Sequence, residues 1–323
     1  MGPVEPAILV AALLLDLALG DPRWLPHPVV LIGRLINTLD LLLNRITSHK
    51  RMAGILLLAV TAGVAGTTTW LLIRAGHGLH PLVGFLVSAV ISCTCLAARS
   101  LHSESALVAD ALTAGNISEA RRYLSHIVGR DTAALDETEI WRALVETVAE
   151  NTTDGIIAPL FWLTLTGPVG GMVYKAVSTL DSMVGYRNER YLQFGWASAR
   201  MDDLLNFIPA RLTALLMVLA ALLAGLSPAG ALSIARRDRL KHPSPNSGHP
   251  EAAAAGALGV RLGGSASYNG ILSWKEYIGN PLVSLDERSY TGMLRLMYMT
   301  TLLMAAACIA GAFALGGSLV SHL

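Results

Sequence analysis

The chain has 323 residues, of which 53% are hydrophobic and only 15% charged, with a mean hydropathy of +0.52. A charged share well under the roughly 25% of soluble domains excludes an ordinary water-soluble globule and points to an integral membrane protein. The net charge of +1, with no interleaving of aromatic and basic residues, excludes nucleic acid as a partner.

A hydrocarbon core is crossed by roughly 20 apolar residues in helical form. Segments at about 4–19, 53–73, 81–98 and 207–226 meet that requirement, and a fifth at about 296–320 closes the chain. The first carries Glu5 and no basic residue, which argues for a retained helix over a cleaved secretory signal. From Ile156 to Val173 the chain is apolar but interrupted by Pro159 and by Gly167-Pro168. It either crosses or dips in and returns as two half-helices. Cys93, Cys95 and Cys308 all lie in apolar spans and read as packing residues.

Polar segments at 20–52, 99–155, 174–206 and 227–295 separate these spans within what reads as a single membrane domain over 1–323. Arg23, Arg34, Arg45, Lys50 and Arg51 place the first segment, and by parity the second, on the cytoplasmic side, with the N-terminus outside. The third and fourth are both basic yet separated by one clear span, so either 156–173 crosses or the chain turns back near Pro209. Apolar residues recur at helical spacing, as at Val29, Ile32, Leu35, Ile36 and Leu39, and no strand-like alternation is visible. The expected fold is all-α: a polytopic membrane protein of about five to six transmembrane or re-entrant helices, with interfacial amphipathic helices and cytoplasmic helical loops.

Three polar clusters carry candidate chemistry. In ETVAENTTDGIIAPLFW, Glu146, Glu150 and Asp154 fall at i, i+4 and i+8 and share a face if the helix continues. A solvated helix face is the plain reading, but unpaired charge against an apolar span is costly, and oxygen-only clustering suits Mg²⁺. The second cluster contributes Lys175, Asp181, Arg187, Arg190, Arg200, Asp202, Asp203, Asn206 and Arg211. Arg190, Arg200 and Arg211 read as interfacial anchors, whereas Asp202-Asp203, with Asn206 one turn on, either hold a cation or cap a helix N-terminus. In the third, Pro243-Ser244-Pro245-Asn246-Ser247-Gly248 is non-helical and Pro250 suits the first position of an Ala-rich helix with Glu251 in its first turn. Free backbone N–H groups and the hydroxyls of Ser244 and Ser247 there form an anion site, with Arg236, Arg237, Arg239 and Lys241 upstream. The competing reading is a well-capped helix beside a basic membrane-surface patch.

No Walker loop, dinucleotide fingerprint, Ser-His-Asp elbow or zinc spacing occurs. An ion-coupled transporter using carboxylates at broken helices is the alternative class, and it calls for acids at mid-span. Here they sit at span ends and in loops, Asp16 excepted.

Together LLLDLALGDPRWLPHPVVLIGRLI, VAENTTDGIIAPLFW, YKAVSTLDSMVGYRNERYLQFGWASARMDDLLNFIPARL and HPSPNSGHPEAAAAGALGVRLGG resemble the CbiB/CobD family of cobalamin biosynthesis, in collinear order over nearly the whole chain. The resemblance implies a multi-pass inner-membrane adenosylcobinamide-phosphate synthase with its active site on the cytoplasmic side. Such an enzyme joins adenosylcobyric acid to (R)-1-amino-2-propanol O-2-phosphate, or aminopropanol, through an amide bond, with ATP cleaved and Mg²⁺ required. Membrane lipid, and other late corrinoid-pathway membrane enzymes, are the further partners it implies. Under it Glu146, Glu150 and Asp154, with Asp202 and Asp203, are expected to hold Mg²⁺. Lys175 and Arg187 are assigned to the transferring phosphate, with Asp181 as a further catalytic group. Ser244, Asn246 and Ser247, supported by Lys241 and Arg236, are assigned to a phosphate, and Asp21 and His27 to the amine or to capping the next helix. Trp24, Trp162, Phe194 and Trp196 either border a groove for the corrinoid or anchor the interface.

Overall fold

A computed structural model describes residues 4–21, 27–46, 49–186, 188–268 and 270–314. In chain order its elements are α1 (Pro6–Leu19), α2 (Pro28–Ile46), α3 (Lys50–Leu79), α4 (Pro81–Cys93), α5 (Ala98–Thr113), α6 (Ile117–Leu124) and α7 (Glu137–Thr152). A π-helical turn (Thr153–Ile157) leads into α8 (Ala158–Val184), followed by α9 (Trp196–Leu205), α10 (Phe207–Leu223), α11 (Pro228–Asp238) and α12 (Gly248–Leu258). Strands β1 (Arg261–Tyr268) and β2 (Ile271–Gly279) precede the closing α13 (Glu287–Ala314).

Four helical runs are long and apolar enough to cross a membrane: Lys50–Leu79, Pro81–Thr113, Glu137–Val184 and Glu287–Ala314. The pair α9 and α10 makes a fifth if counted as one broken span. This is the expected all-α polytopic protein, with two corrections. At 14 residues α1 extends only about 21 Å, too short for a core of about 30 Å, so the stretch at 4–19 is an apolar helix and not a full crossing by itself. The second correction is the β1–β2 hairpin. The helix break expected near Pro209 falls at Asn206, and Pro209 sits as the third residue of α10, where its missing N–H costs nothing.

By their contacts the residues form two compact units. The first holds 1–97, 158–206 and 306–323. Within it α3 packs on α4 and α8, and α2 lies against α3 and α8. Leu57, Leu160, Leu180 and Phe194 are fully buried there. In α8 the chain departs from helical geometry at Gly167 (φ 69°, ψ −172°) just before Pro168, the break anticipated between Ile156 and Val173. Buried in α2, Asp40 pairs with Arg190 and accepts the Tyr191 hydroxyl at 3.0 Å, so Arg190 ties a loop to a helix.

The second unit holds 98–157 and 207–305. At its centre lies α12, whose run Gly248–Ala257 is buried on every side, against α11, α10, α7 and the hairpin. Alanine and glycine suit that position because the neighbouring backbones approach closely. A Cβ on Gly256 would lie 2.2 Å from the Gly230 carbonyl oxygen of α11. Gly256→Ala is therefore expected to lower stability by about 1–3 kcal/mol, measured by thermal melting in detergent.

The hairpin pairs antiparallel from Arg261↔Gly279 to Tyr268↔Ile271, with a bulge where Leu262↔Ile278 gives way to Gly264↔Lys275. Asp238, at the end of α11, clamps its base by accepting from Arg237 (2.8 and 2.7 Å), from Lys241 (2.8 Å) and from the Gly279 N–H (2.8 Å). Burial pushes this carboxyl up, but the hydrogen bonds from Arg237, Lys241 and Gly279 outweigh it and hold it well below the usual carboxylate range. Asp238→Asn should cost about 3 kcal/mol, the lower end for a buried pair because both cations face solvent. With the folded value depressed, the contribution is complete above the unfolded value of about 3.9 and is lost as pH falls below it. The gap between wild-type and Asp238→Asn melting temperatures should therefore close on acidification.

Candidate functional site

The polar interior of the second unit is assembled from three elements: α7, the segment from Lys241 through the first turn of α12, and the hairpin. α7 starts at a capping box, Asp136 accepting from the Glu139 N–H at 2.8 Å and Glu139 accepting from the Asp136 N–H at 3.3 Å. That fixes the helix so that Glu146 and Glu150, one turn apart, face inward. The expected common face does not extend unchanged to Asp154. The helix continues, but through the π turn, whose i→i+5 bonding alters the four-residue spacing.

Glu146 is consumed by the fold. One of its oxygens takes the Arg130 guanidinium and the other accepts the Gly263 N–H at 2.7 Å. Both side chains of the ion pair are buried, at 9% and 5% exposure. Gly263 makes the second contact possible. It sits at φ 83°, and a Cβ would lie 2.3 Å from the Glu276 carbonyl oxygen. Burial pulls the Arg130 guanidinium down, and the adjacent Glu146 carboxylate more than restores it.

Glu150 is half-buried and accepts the Ser247 hydroxyl at 2.7 Å. Ser247 stands at the N-cap of α12 without capping it, because its hydroxyl is turned to Glu150 instead. The expected array of free N–H groups in this loop is not formed. The Ser244 N–H donates to His242 Nδ1 at 3.0 Å, and those of Asn246 and Ser247 donate to Ser244 Oγ at 3.2 and 3.3 Å. Pro250 is the third helical residue, not the first. Lys241 is also diverted, to Asp238 and to the Tyr277 carbonyl at 3.3 Å, and Arg236 is exposed at the end of α11.

Three residues the sequence reading did not assign complete the cluster. Glu251, at 3% exposure, is pushed well above the usual carboxylate range by burial and by the charges of Glu146 and Glu150, against the pull of Lys275 and Arg130. Lys275, on β2, lies 3.1 Å from His242 Nε2 and stays charged: burial lowers it, and Glu251, Tyr268, Glu146 and Glu150 raise it further. His242 is lowered to about 4 by burial and by Lys275, against the charges of Glu150 and Glu146. Its Nδ1 accepts the Ser244 N–H, and its Nε2 lies 3.7 Å from Glu251 Oε1.

In the first turn of α12, His249 is buried and its Nε2 has no hydrogen-bond partner among the described residues. Burial and the guanidiniums of Arg211 and Arg239 lower this ring to about 4.

The remaining candidates fall in the first unit. Lys175 and Asp181 are half-buried on α8. Asp202 and Asp203 lie near the C-terminal end of α9, not at its N-terminus. Asp202 accepts from Asn206 at 3.0 Å, Asn206 accepts the buried Tyr174 hydroxyl at 2.9 Å, and Asp203 lies 4.0 Å from Arg200. Asp21 and His27 stand 3.0 Å apart, and His27 Nδ1 accepts the Val29 N–H at 3.2 Å, capping α2. Trp162 donates to the Leu205 carbonyl at 3.2 Å, and Trp196 carries the Arg51 guanidinium over its ring. Arg187 and Trp24 lie outside the described residues.

The description "CobD/Cbib protein" matches residues 9–297. The chain belongs to the CobD/CbiB family. It is 66% identical, over 99% of both chains, to the cobalamin biosynthesis protein CobD of Pelobacter propionicus. It is 47% identical to the CobD of Klebsiella pneumoniae, over 91% of this chain and 93% of that one. To the cobalamin biosynthesis protein CbiB of Salmonella typhi it is 45% identical, over 95% and 97%. No solved structure matches. Two of the four motifs that carry the CobD/CbiB resemblance meet in the second unit: VAENTTDGIIAPLFW, which begins two residues after Glu146, brings Glu150, and HPSPNSGHPEAAAAGALGVRLGG brings Ser247, Glu251 and Gly263.

Proposed function

We propose that this protein acts in cobalamin biosynthesis as an ATP- and Mg²⁺-dependent ligase of the inner membrane, with its active site on the cytoplasmic side. It joins adenosylcobyric acid to (R)-1-amino-2-propanol O-2-phosphate, or aminopropanol, giving adenosylcobinamide phosphate or its unphosphorylated counterpart. The observation that carries the reading is the convergence of two family motifs on one buried cluster, where an ion pair, the buried acid Glu251 and Lys275 accompany Glu150 and Ser247.

The donor set fits Mg²⁺ in one limited way. Among the described residues no group of three His, Cys, Asp or Glu side chains is placed to hold an ion by itself. Both Glu146 oxygens are already taken by protein donors. Mg²⁺ commonly binds through one or two carboxylates plus substrate phosphate, and Glu150 fits as that carboxylate. When bound, the ion would supply positive charge that offsets the charge of the phosphates.

A carboxylate does not condense with an amine until its oxygen is made a leaving group. In the proposed sequence a carboxylate oxygen of the corrinoid side chain attacks the terminal phosphorus of ATP, giving an acyl phosphate and ADP. The amine, having lost one proton, then attacks the acyl carbon, and the C–O bond to phosphate breaks to give the amide and inorganic phosphate. Lys275 supplies positive charge for phosphate oxygens, and burial beside Glu146 and Glu150 favours the proton-bearing form of Glu251. Arg130 and Gly263 keep Glu146 in place, so that the cluster holds its shape as substrate charge arrives. Lys175 and Asp181 remain proposed catalytic groups on the family resemblance and are tested by their own variants.

The test is reconstitution. Purified protein in detergent, given adenosylcobyric acid, ATP, Mg²⁺ and aminopropanol phosphate, should form the amide in step with nucleotide cleavage, followed by mass spectrometry and chromatography. Failure to consume the corrinoid with either amine would contradict the reading and make ion-coupled transport in vesicles the next experiment.

A further inference from the structure

The geometry points to a phosphate-binding site at the N-terminal end of α12, formed by the guanidiniums of Arg211 and Arg239 and the Nε2 of His249, beside Asn246. It deepens the proposed reading by naming the side chains that take a phosphate, in place of the Ser244–Ser247 backbone N–H groups.

The site begins with a charge imbalance. Arg211 and Arg239 are each half-buried, and neither has a carboxylate within 4 Å among the described residues. Among the described residues Arg239 donates to the Arg236 carbonyl at 2.6 Å and distantly to that of Ala235. Arg211 reaches the Phe207 carbonyl at 2.6 Å and Asn246 Oδ1 at 3.4 Å. Two guanidiniums that bear on one buried ring without an anion between them are repulsive as they stand. The positive end of the α12 dipole adds to the same sign.

His249 is the independent observation. Its side chain is about 95% buried by its 5% exposure, and its Nε2 is left without a partner in a protein interior where such atoms are nearly always paired. Burial, together with the two nearby arginines, disfavours the charged ring, so His249 adds no third cation. A phosphate group would give Nε2 a hydrogen-bond partner and offset both guanidiniums together. The Arg211 fork is already oriented by stacking 3.5 Å over the Phe207 ring, which favours a planar two-point contact with a phosphate. Loop N–H groups play no part, since those of Asn246, Ser247 and His249 are bonded within the loop.

The ligand chemistry is a phosphate group, supplied by a soluble phosphate ester or by a lipid headgroup. The experiment uses the full chain in phosphatidylcholine nanodiscs, without turnover, so that failure of amide synthesis and failure of this site are distinguishable. Calorimetry would compare ATP, O-phosphoethanolamine and ethanolamine. The expected result is binding of a phosphate-bearing probe but not of ethanolamine, weakened about tenfold to a hundredfold in both Arg211→Gln and Arg239→Gln. Exposed Arg288→Gln serves as the charge control and should bind as wild type. Where Arg239→Gln melts early, Arg239→Lys keeps the charge, and the His249 ring resonance reports occupancy by shifting on phosphate binding. Nanodiscs containing phosphatidylglycerol separate the sources: abolished probe binding assigns the site to a headgroup, and unchanged binding assigns it to a soluble ester. Equal probe affinity in wild type and both arginine variants, or a His249 resonance indifferent to saturating phosphate, overturns the proposal.

Discussion

Glu150→Gln is expected to lower the rate of amide formation by roughly 10²- to 10³-fold, the usual loss when one preorganised electrostatic group is removed, while leaving the protein folded. The two halves of that expectation rest on different observations. Glu150 is half-buried with a single hydroxyl contact, from Ser247 at 2.7 Å, which a glutamine oxygen also accepts, so the substitution leaves no buried donor stranded. The charge is what disappears, and with it the carboxylate proposed for Mg²⁺. Rates under saturating ATP, with melting temperature measured on the same preparation, check both halves. A variant that keeps its rate, or one that loses it only by unfolding, would remove Glu150 from the mechanism.

Glu146→Gln should do the reverse, damaging the fold before the chemistry. Its partner Arg130 is 9% exposed, and removing one member of a buried pair typically costs about 3–5 kcal/mol, because the other is left as an uncompensated buried charge. The Gly263 N–H keeps an acceptor in the amide oxygen, so the loss belongs to Arg130. The double variant Glu146→Leu with Arg130→Met removes both charges and is expected to recover much of that stability. Chemical or thermal denaturation of the single and double variants reads this directly. If the single variant loses less than about 1 kcal/mol, the pair is not the anchor described.

How much of this was legible in the sequence follows from the range of the interactions. Hydropathy and helical spacing located the apolar helices, because those signals are contained within a single element. The stretch at 4–19 was overread because it was already shorter than the roughly 20 residues a crossing needs, and α1 takes up 14 of its residues. The hairpin was missed for a physical reason: Ile271, Leu272 and Trp274 are all exposed, at 72%, 75% and 62%, so no alternation of apolar and polar residues marks β2. Asn269-Gly270 was the available signal for its turn. In the site, Glu146 and Glu150 stood out by spacing, but what divides their roles lies far away in the chain. Gly263 is 117 positions from Glu146, and Ser247 is 97 from Glu150. Glu251 looked like an ordinary first-turn acid, and only its burial beside two carboxylates pushes it above the usual carboxylate range. Arg211 was read as an interfacial anchor, and nothing in the sequence placed it with Arg239 and His249.

The central claim, that Glu150 and Ser247 act as one unit in amide formation, is tested most directly by a double-mutant cycle on the rate. Glu150→Gln, Ser247→Ala and their combination would be assayed with adenosylcobyric acid, ATP, Mg²⁺ and aminopropanol phosphate. The account predicts a double variant little worse than Glu150→Gln alone, since Ser247 acts by orienting that carboxylate. Strictly additive losses, or a Ser247→Ala variant indistinguishable from wild type, would contradict it.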